Sequence, residues 1–194
     1  MKNTRIVLLL LVTVLIISCN TRKDRSEDIQ LIDQKMVEVN EAEEVFKNTD
    51  IATTKAHFKA IMDDIKFVQK NYTDTMPKDE AMFLTSYKNV AKLVKNLEEK
   101  EKKISLEIIR TRAQLANLKT AIISKATEDK SGQSIDDNYI DKAIKEEVLY
   151  VKQVVDQITY LKDNCDIVMD KYPKMKPQAD KIITTLQLKM SGNE

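Results

Sequence analysis

The chain has no tryptophan, a single histidine, two glycines and three prolines, and its aromatics amount to 5 % of 194 residues. Each scarcity removes a class. So few backbone breakers argue against a fold of short strands and tight turns, and the wealth of Lys, Glu, Ile, Leu and Val is the composition of long helices. A lone histidine, His57, leaves no imidazole pair for a metal centre or relay. Charge of one sign is also lacking: 32 basic residues face 31 acidic ones, a net of +1. That balance lacks the basic excess that nucleic acid favours, and it is unlike an acid-rich disordered tail.

Long apolar runs are absent too, except at the start. Met1 to Arg5 carry two positive charges, Ile6 to Ile17 are apolar apart from one threonine, and Ser18-Cys19 follow. A basic segment, an apolar core of about a dozen residues and a small residue before the cut have the layout of a secretory signal. No second stretch approaches the ~18 apolar residues of a membrane span.

The segment Ile16-Ile17-Ser18-Cys19 resembles the lipobox of bacterial lipoprotein precursors, in which an aliphatic, a tolerant position and a small residue precede a cysteine. The resemblance implies cleavage between Ser18 and Cys19, with diacylglycerol on the Cys19 sulfur and a fatty acid on its new amino group. Removal of 1–18 takes Lys2 and Arg5 with it and leaves 30 basic and 31 acidic residues. With Cys19 lipidated, Cys165 stands alone and no intramolecular disulfide is possible. The residue after Cys19 is Asn20, which by the sorting rule of some two-membrane bacteria is compatible with the outer membrane. The implied location is lipid-anchored on the cell membrane or outer membrane, facing periplasm or cell surface.

Beyond Cys19 the expected organisation is a tether over 19–26, a helical bundle over 27–190 and a frayed tail over 191–194. Seven extended residues reach about 24 Å, so the body sits near the bilayer. Within the tether, Arg22, Lys23 and Arg25 read as a solubilising linker, the alternative being contact with anionic headgroups.

Ile29, Ile32, Met36, Val39, Glu43 and Phe46 form a heptad seam. Phe58, Ile61, Ile65, Val68 and Tyr72 form another, one residue out of phase. Asn48-Thr49-Asp50 lies at the join and offers capping side chains. Without Gly or Pro there, the reading leans to one long, imperfect helix. A turn follows at Thr73 to Lys78, with Pro77 in the first turn of the next helix.

The clearest seam runs from Phe83 through Tyr87, Val90, Val94, Leu97, Glu101, Ile104, Ile108, Thr111, Leu115 and Leu118 to Ile122. Forty residues of helix span about 60 Å, ending near Lys125. A polar loop, Thr127 to Ser134, precedes a helix with Ser134 as N-cap. Its seam is Ile140, Ile144, Glu147, Val151, Val154, Ile158, Leu161, Cys165, Val168 and Tyr172. Pro173 is expected to end it, and a shorter piece, about Gln178 to Met190, either folds back as a fourth member of the bundle or continues the third helix after a kink.

The expected fold is therefore all-α: an elongated antiparallel bundle of three long heptad-patterned helices plus a shorter C-terminal helix. Its length is about 55–70 Å. Repeated heptads also allow self-association.

Glu43, Glu101 and Glu147 place one carboxylate on each seam, as carboxylate-bridged di-iron bundles do. Antiparallel folding sets them in different layers, and no Glu-x-x-His motif accompanies them. They read as register-fixing polar positions near lysines, with Lys35 the neighbour of Glu147. His57 reads as a surface residue and Cys165 as a small buried hydrophobe. The Asp129-to-Asn138 region lacks the calcium-loop order. No catalytic residue, metal or cofactor is expected. The functional expectation is a non-catalytic adaptor or spacer of the cell envelope with a protein partner. The alternative is a surface-exposed adhesin or ligand-capture lipoprotein.

Overall fold

The computed structural model describes residues 23–72, 75–129 and 131–192, so the signal-like segment and Ser18-Cys19 lie outside the described residues. The described residues form five helices: α1 (Ser26–Lys47), α2 (Ile51–Asn71), α3 (Lys78–Leu93), α4 (Leu97–Ile123) and α5 (Asp137–Ser191). They make three arms, up, down and up. The first arm is α1 and α2, the second is α3 and α4, and the third is α5 alone. The all-α bundle is as its seams require. Three details of its helices differ from the sequence reading.

The first arm is two helices rather than one. The Asp50 carboxylate accepts a hydrogen bond from the Thr53 backbone N–H at 3.0 Å, and the Thr54 hydroxyl donates to the Asp50 carbonyl at 2.7 Å. An N-cap of this kind satisfies donors that a fresh helix start leaves free. The one-residue phase slip between the two seams is absorbed in Asn48-Thr49-Asp50, without help from Gly or Pro.

The second arm is also broken. Val94 and Lys95 turn tightly, their N–H groups reaching the carbonyls of Ala91 and Lys92, and Asn96 is left-handed at φ 59°. Asparagine tolerates that region better than most residues. The break does not disturb the seam: Ala91, Val94, Leu97 and Ile104 are all buried. A heptad count cannot reveal it.

Pro173 does not end the third arm. α5 runs for 55 residues with Pro173 and Pro177 inside it, about 80 Å at 1.5 Å per residue. The expected short C-terminal helix is its continuation, and the body is longer than expected. The two prolines are four residues apart, hence on one side of the helix, and both are exposed. The carbonyls that lose their N–H partners can therefore be hydrated, which lowers the usual cost of an interior proline. The apolar seam continues through them as Val168, Tyr172, Met175, Ala179, Ile182 and Leu186.

Two cores lie end to end along α5. The first packs Ile32, Val39, Ile104, Ile108, Leu115, Val151, Ile158 and Val168 from α1, α4 and α5. The second packs Ile61, Ile65, Val68, Leu84, Tyr87, Ala179 and Ile182 from α2, α3 and α5. Cys165 is buried in the first core at 1 % exposure, as its seam position requires, and burial pushes its thiol pKa up.

Candidate functional site

The end of the bundle that carries residues 23–25 is tied by a cluster of ion pairs. It is built from the start of α1, the end of α4, the start of α5 and residues 124–129 and 131–136 between them. Asp136, not Ser134, caps α5 by accepting from the Tyr139 N–H at 2.7 Å. Ser134 instead bridges to Glu128. Asp129 organises the loop by accepting from the N–H groups of Ser131 and Gln133 and from the Ser131 hydroxyl. Those hydrogen bonds hold its carboxyl below the usual carboxylate range.

Arg25 is the fixed point. The sequence places it in a solvated linker, yet it is 7 % exposed. Its guanidinium donates to Asp28 at 2.8 Å, to the Asp137 carboxylate at 2.6 Å, to the Asp137 carbonyl at 3.0 Å, and to Asp141. Lys23 adds a 3.6 Å ion pair to Asp141. Burial opposes the guanidinium charge, but the hydrogen bonds it donates to Asp28, Asp141 and Asp137 outweigh it and the pKa moves up. The Arg25 hydrogen bond holds the Asp141 carboxyl below its ordinary value, against a smaller burial penalty. A planar fork of donors suits such a cluster better than a lysine ammonium. The latch thus joins the last residue before α1 to the first turn of α5, five residues beyond Asn20. Arginine in a polar stretch gave no sign of this. Asp137 and Asp141, one helical turn apart, were the available clue.

The three seam glutamates are not brought together. Glu43 accepts from Arg112 and pairs with Lys47 at 3.4 Å, and the Arg112 hydrogen bond holds its pKa down. Glu101 accepts from Lys55 of α2 at 2.6 Å. Glu147 is the exception: its Oε2 is buried without a hydrogen-bond partner. Burial raises its pKa against a favourable field from Arg110. Lys35, expected beside it, pairs with Glu38 instead. Glu147 lines an open groove of about 600 Å³ with Leu118, Ala121, Ile135, Tyr139 and Ala143. Among the described residues no group of three His, Cys, Asp or Glu side chains is placed to hold a metal ion.

His57 is half-buried rather than on the surface. Its ring stacks on Tyr172 at 4.0 Å between centroids, and its Nδ1 is buried without a partner. Nearby, Tyr87 is fully buried and donates to Asp64 at 2.9 Å. Lys176 donates to the same carboxylate at 2.8 Å and 3.0 Å. Burial, then the Asp64 hydrogen bond, pushes the Tyr87 phenol well above its usual value. This polar knot ties α2, α3 and α5 together in the second core.

One feature escaped the sequence reading although its signal was present. On the side of α4 away from the core, Leu106, Ile109, Ala113, Ala116, Thr120 and Ile123 repeat the alternation of threes and fours, and all six are exposed. Leu106, Ile109 and Ile123 are 59–63 % exposed.

Among the described residues no helix is long and apolar enough to cross a membrane. The fold thus defines an elongated, all-α helical bundle stiffened by one full-length helix. No family model, curated protein or solved structure matches the chain.

Proposed function

We propose that this chain is a lipid-anchored, non-catalytic rod of the bacterial cell envelope, serving as an adaptor or spacer for a protein partner. The observation that carries this reading is the Arg25 latch. The lipobox-like Ser18-Cys19 lies only five residues before Asp24, and Arg25 is clamped to Asp137 and Asp141 at the same end of the bundle. A lipid on Cys19 would then hold one end of a body about 80 Å long within a few residues of the bilayer. Balanced charge and a long apolar interior suit a structural role.

Fractionation of cells expressing the chain or its Cys19→Ala variant tests the anchor. The native chain should pellet with membranes and incorporate labelled palmitate, while the variant should do neither as a processed lipoprotein. A variant still processed and membrane-bound after a salt wash overturns the reading. Protease shaving of intact cells separates the adaptor from the adhesin: a periplasmic rod is spared and a surface rod is cut.

A further inference from the structure

We propose that the outer face of α4 is a dimer interface, occupied by the same face of a second copy in parallel orientation. The face carries Leu106, Ile109, Ala113, Ala116, Thr120 and Ile123, at intervals of three and four, all exposed. This is the repeat by which the internal seams of the chain meet a neighbouring helix, so the face is shaped for a helix rather than for a flat surface. Ala113 and Ala116 at its middle let two backbones approach closely, and the larger Leu106, Ile109 and Ile123 close the ends. The Thr120 hydroxyl donates to the Ala116 carbonyl at 2.8 Å, which satisfies it locally and leaves its methyl for packing.

Charge selects a second copy over an anionic partner. No acidic residue occurs between Glu107 and Glu128, which alone would suit an acidic helix or membrane. Yet the bases beside the stripe on the α1 side are already neutralised within the chain, Arg112 by Glu43 and Lys119 by Asp33. In a parallel pair the flanking positions bring Arg112 near Asn117, Lys119 near Ser124 and Arg110 near Ser105 of the other copy. No two like charges meet. Eighteen residues of helix give a contact about 26 Å long, small beside a standard interface, so affinity in solution is modest. Anchoring both copies in one bilayer raises their effective concentration and aligns them in parallel. The parallel orientation therefore rests on the anchor reading, whereas use of the face does not.

Disulfide trapping in membranes of cells expressing the full chain tests the proposal. Single Leu106→Cys and Ile123→Cys variants should each form a covalent homodimer under mild oxidation. A Met82→Cys variant on exposed α3 should not, nor should the native chain, whose Cys165 is buried. Adding Ile109→Glu to Leu106→Cys should lower the trapped fraction at least tenfold with an unchanged circular dichroism spectrum. Sedimentation of the detergent-solubilised chain with Cys19→Ala should show a concentration-dependent dimer, which tests the face independently of the lipid. Equal trapping at position 82, or no trapping at 106 and 123 whether the two variants are expressed singly or together, overturns the interface. Co-expressed Leu106→Cys and Ile123→Cys chains that trap each other in preference to themselves overturn the parallel orientation alone.

Discussion

Replacing Arg25 by methionine isolates the latch, because methionine keeps a comparable apolar stem and removes only the charged fork. A hydrogen bond to a charged group contributes about 1.5–3 kcal/mol when its partners are buried. Arg25 makes several, but its carboxylates are only partly buried: the Asp28, Asp137 and Asp141 side chains are 23 %, 47 % and 43 % exposed. They can rehydrate once Arg25 is gone, so the full cost of an uncompensated buried charge is not incurred, and solvent screens what remains. The expected loss is about 2 kcal/mol, which corresponds to a roughly 30-fold larger open population at 1.4 kcal/mol per tenfold.

Because the latch sits at one end, the loss should be local. Hydrogen exchange should accelerate at the amides of Ile29 to Asp33 and Ile140 to Ile144, and not in the second core. Arg25→Lys should restore part of the protection, since it keeps the charge without the fork. Acid should erase the difference. The folded Asp141 carboxyl lies below its unfolded value of about 3.9, so its contribution is present above that value and lost as pH falls through the folded one. If Arg25→Met left exchange at both segments unchanged at neutral pH, the latch would be a contact without consequence and the reasoning would fail.

Two further outcomes follow from buried polar groups. Glu147→Gln should stabilise the fold by about 0.5–1.5 kcal/mol at pH 7, the scale of an unsatisfied acceptor reduced for partial exposure. Its folded pKa is raised, so the destabilisation is full above the folded pKa, and urea midpoints of mutant and native chain should converge as pH falls toward about 4.3. Tyr87→Phe should cost about 1.5 kcal/mol in urea unfolding at unchanged slope, because Asp64 loses one donor but keeps Lys176.

The seams made most of the fold legible. Which residues are buried follows from alternating threes and fours, and the turns expected at Thr73 to Lys78 and Thr127 to Ser134 fall between α2 and α3 and between α4 and α5. The helix breaks were harder, for opposite reasons. At Asn48-Thr49-Asp50 a phase slip was visible, but a cap made of ordinary polar side chains is a weak signal beside Gly or Pro. At Asn96 the left-handed turn leaves the apolar register intact, so no pattern of burial betrays it. Pro173 misled because its cost depends on whether the freed carbonyls reach water, and only the fold decides that. The continuing seam from Val168 to Leu186 was the better guide. The latch was hidden for a related reason. A buried arginine is made by its partners, and Asp137 and Asp141 lie more than a hundred residues away.

The parallel course of α1 and α5 has a mechanical consequence. Tension applied through the N-terminal tether enters the body at Arg25 and pulls α1 along its own axis, beside the start of α5. Separation would require α1 to slide, shearing the layers of Ile32, Val39 and Ala42 against α5 together. It could not peel them one after another. A rod loaded in shear resists far more than one loaded like a zipper, and it passes the pull to its distant end along a single unbroken strut.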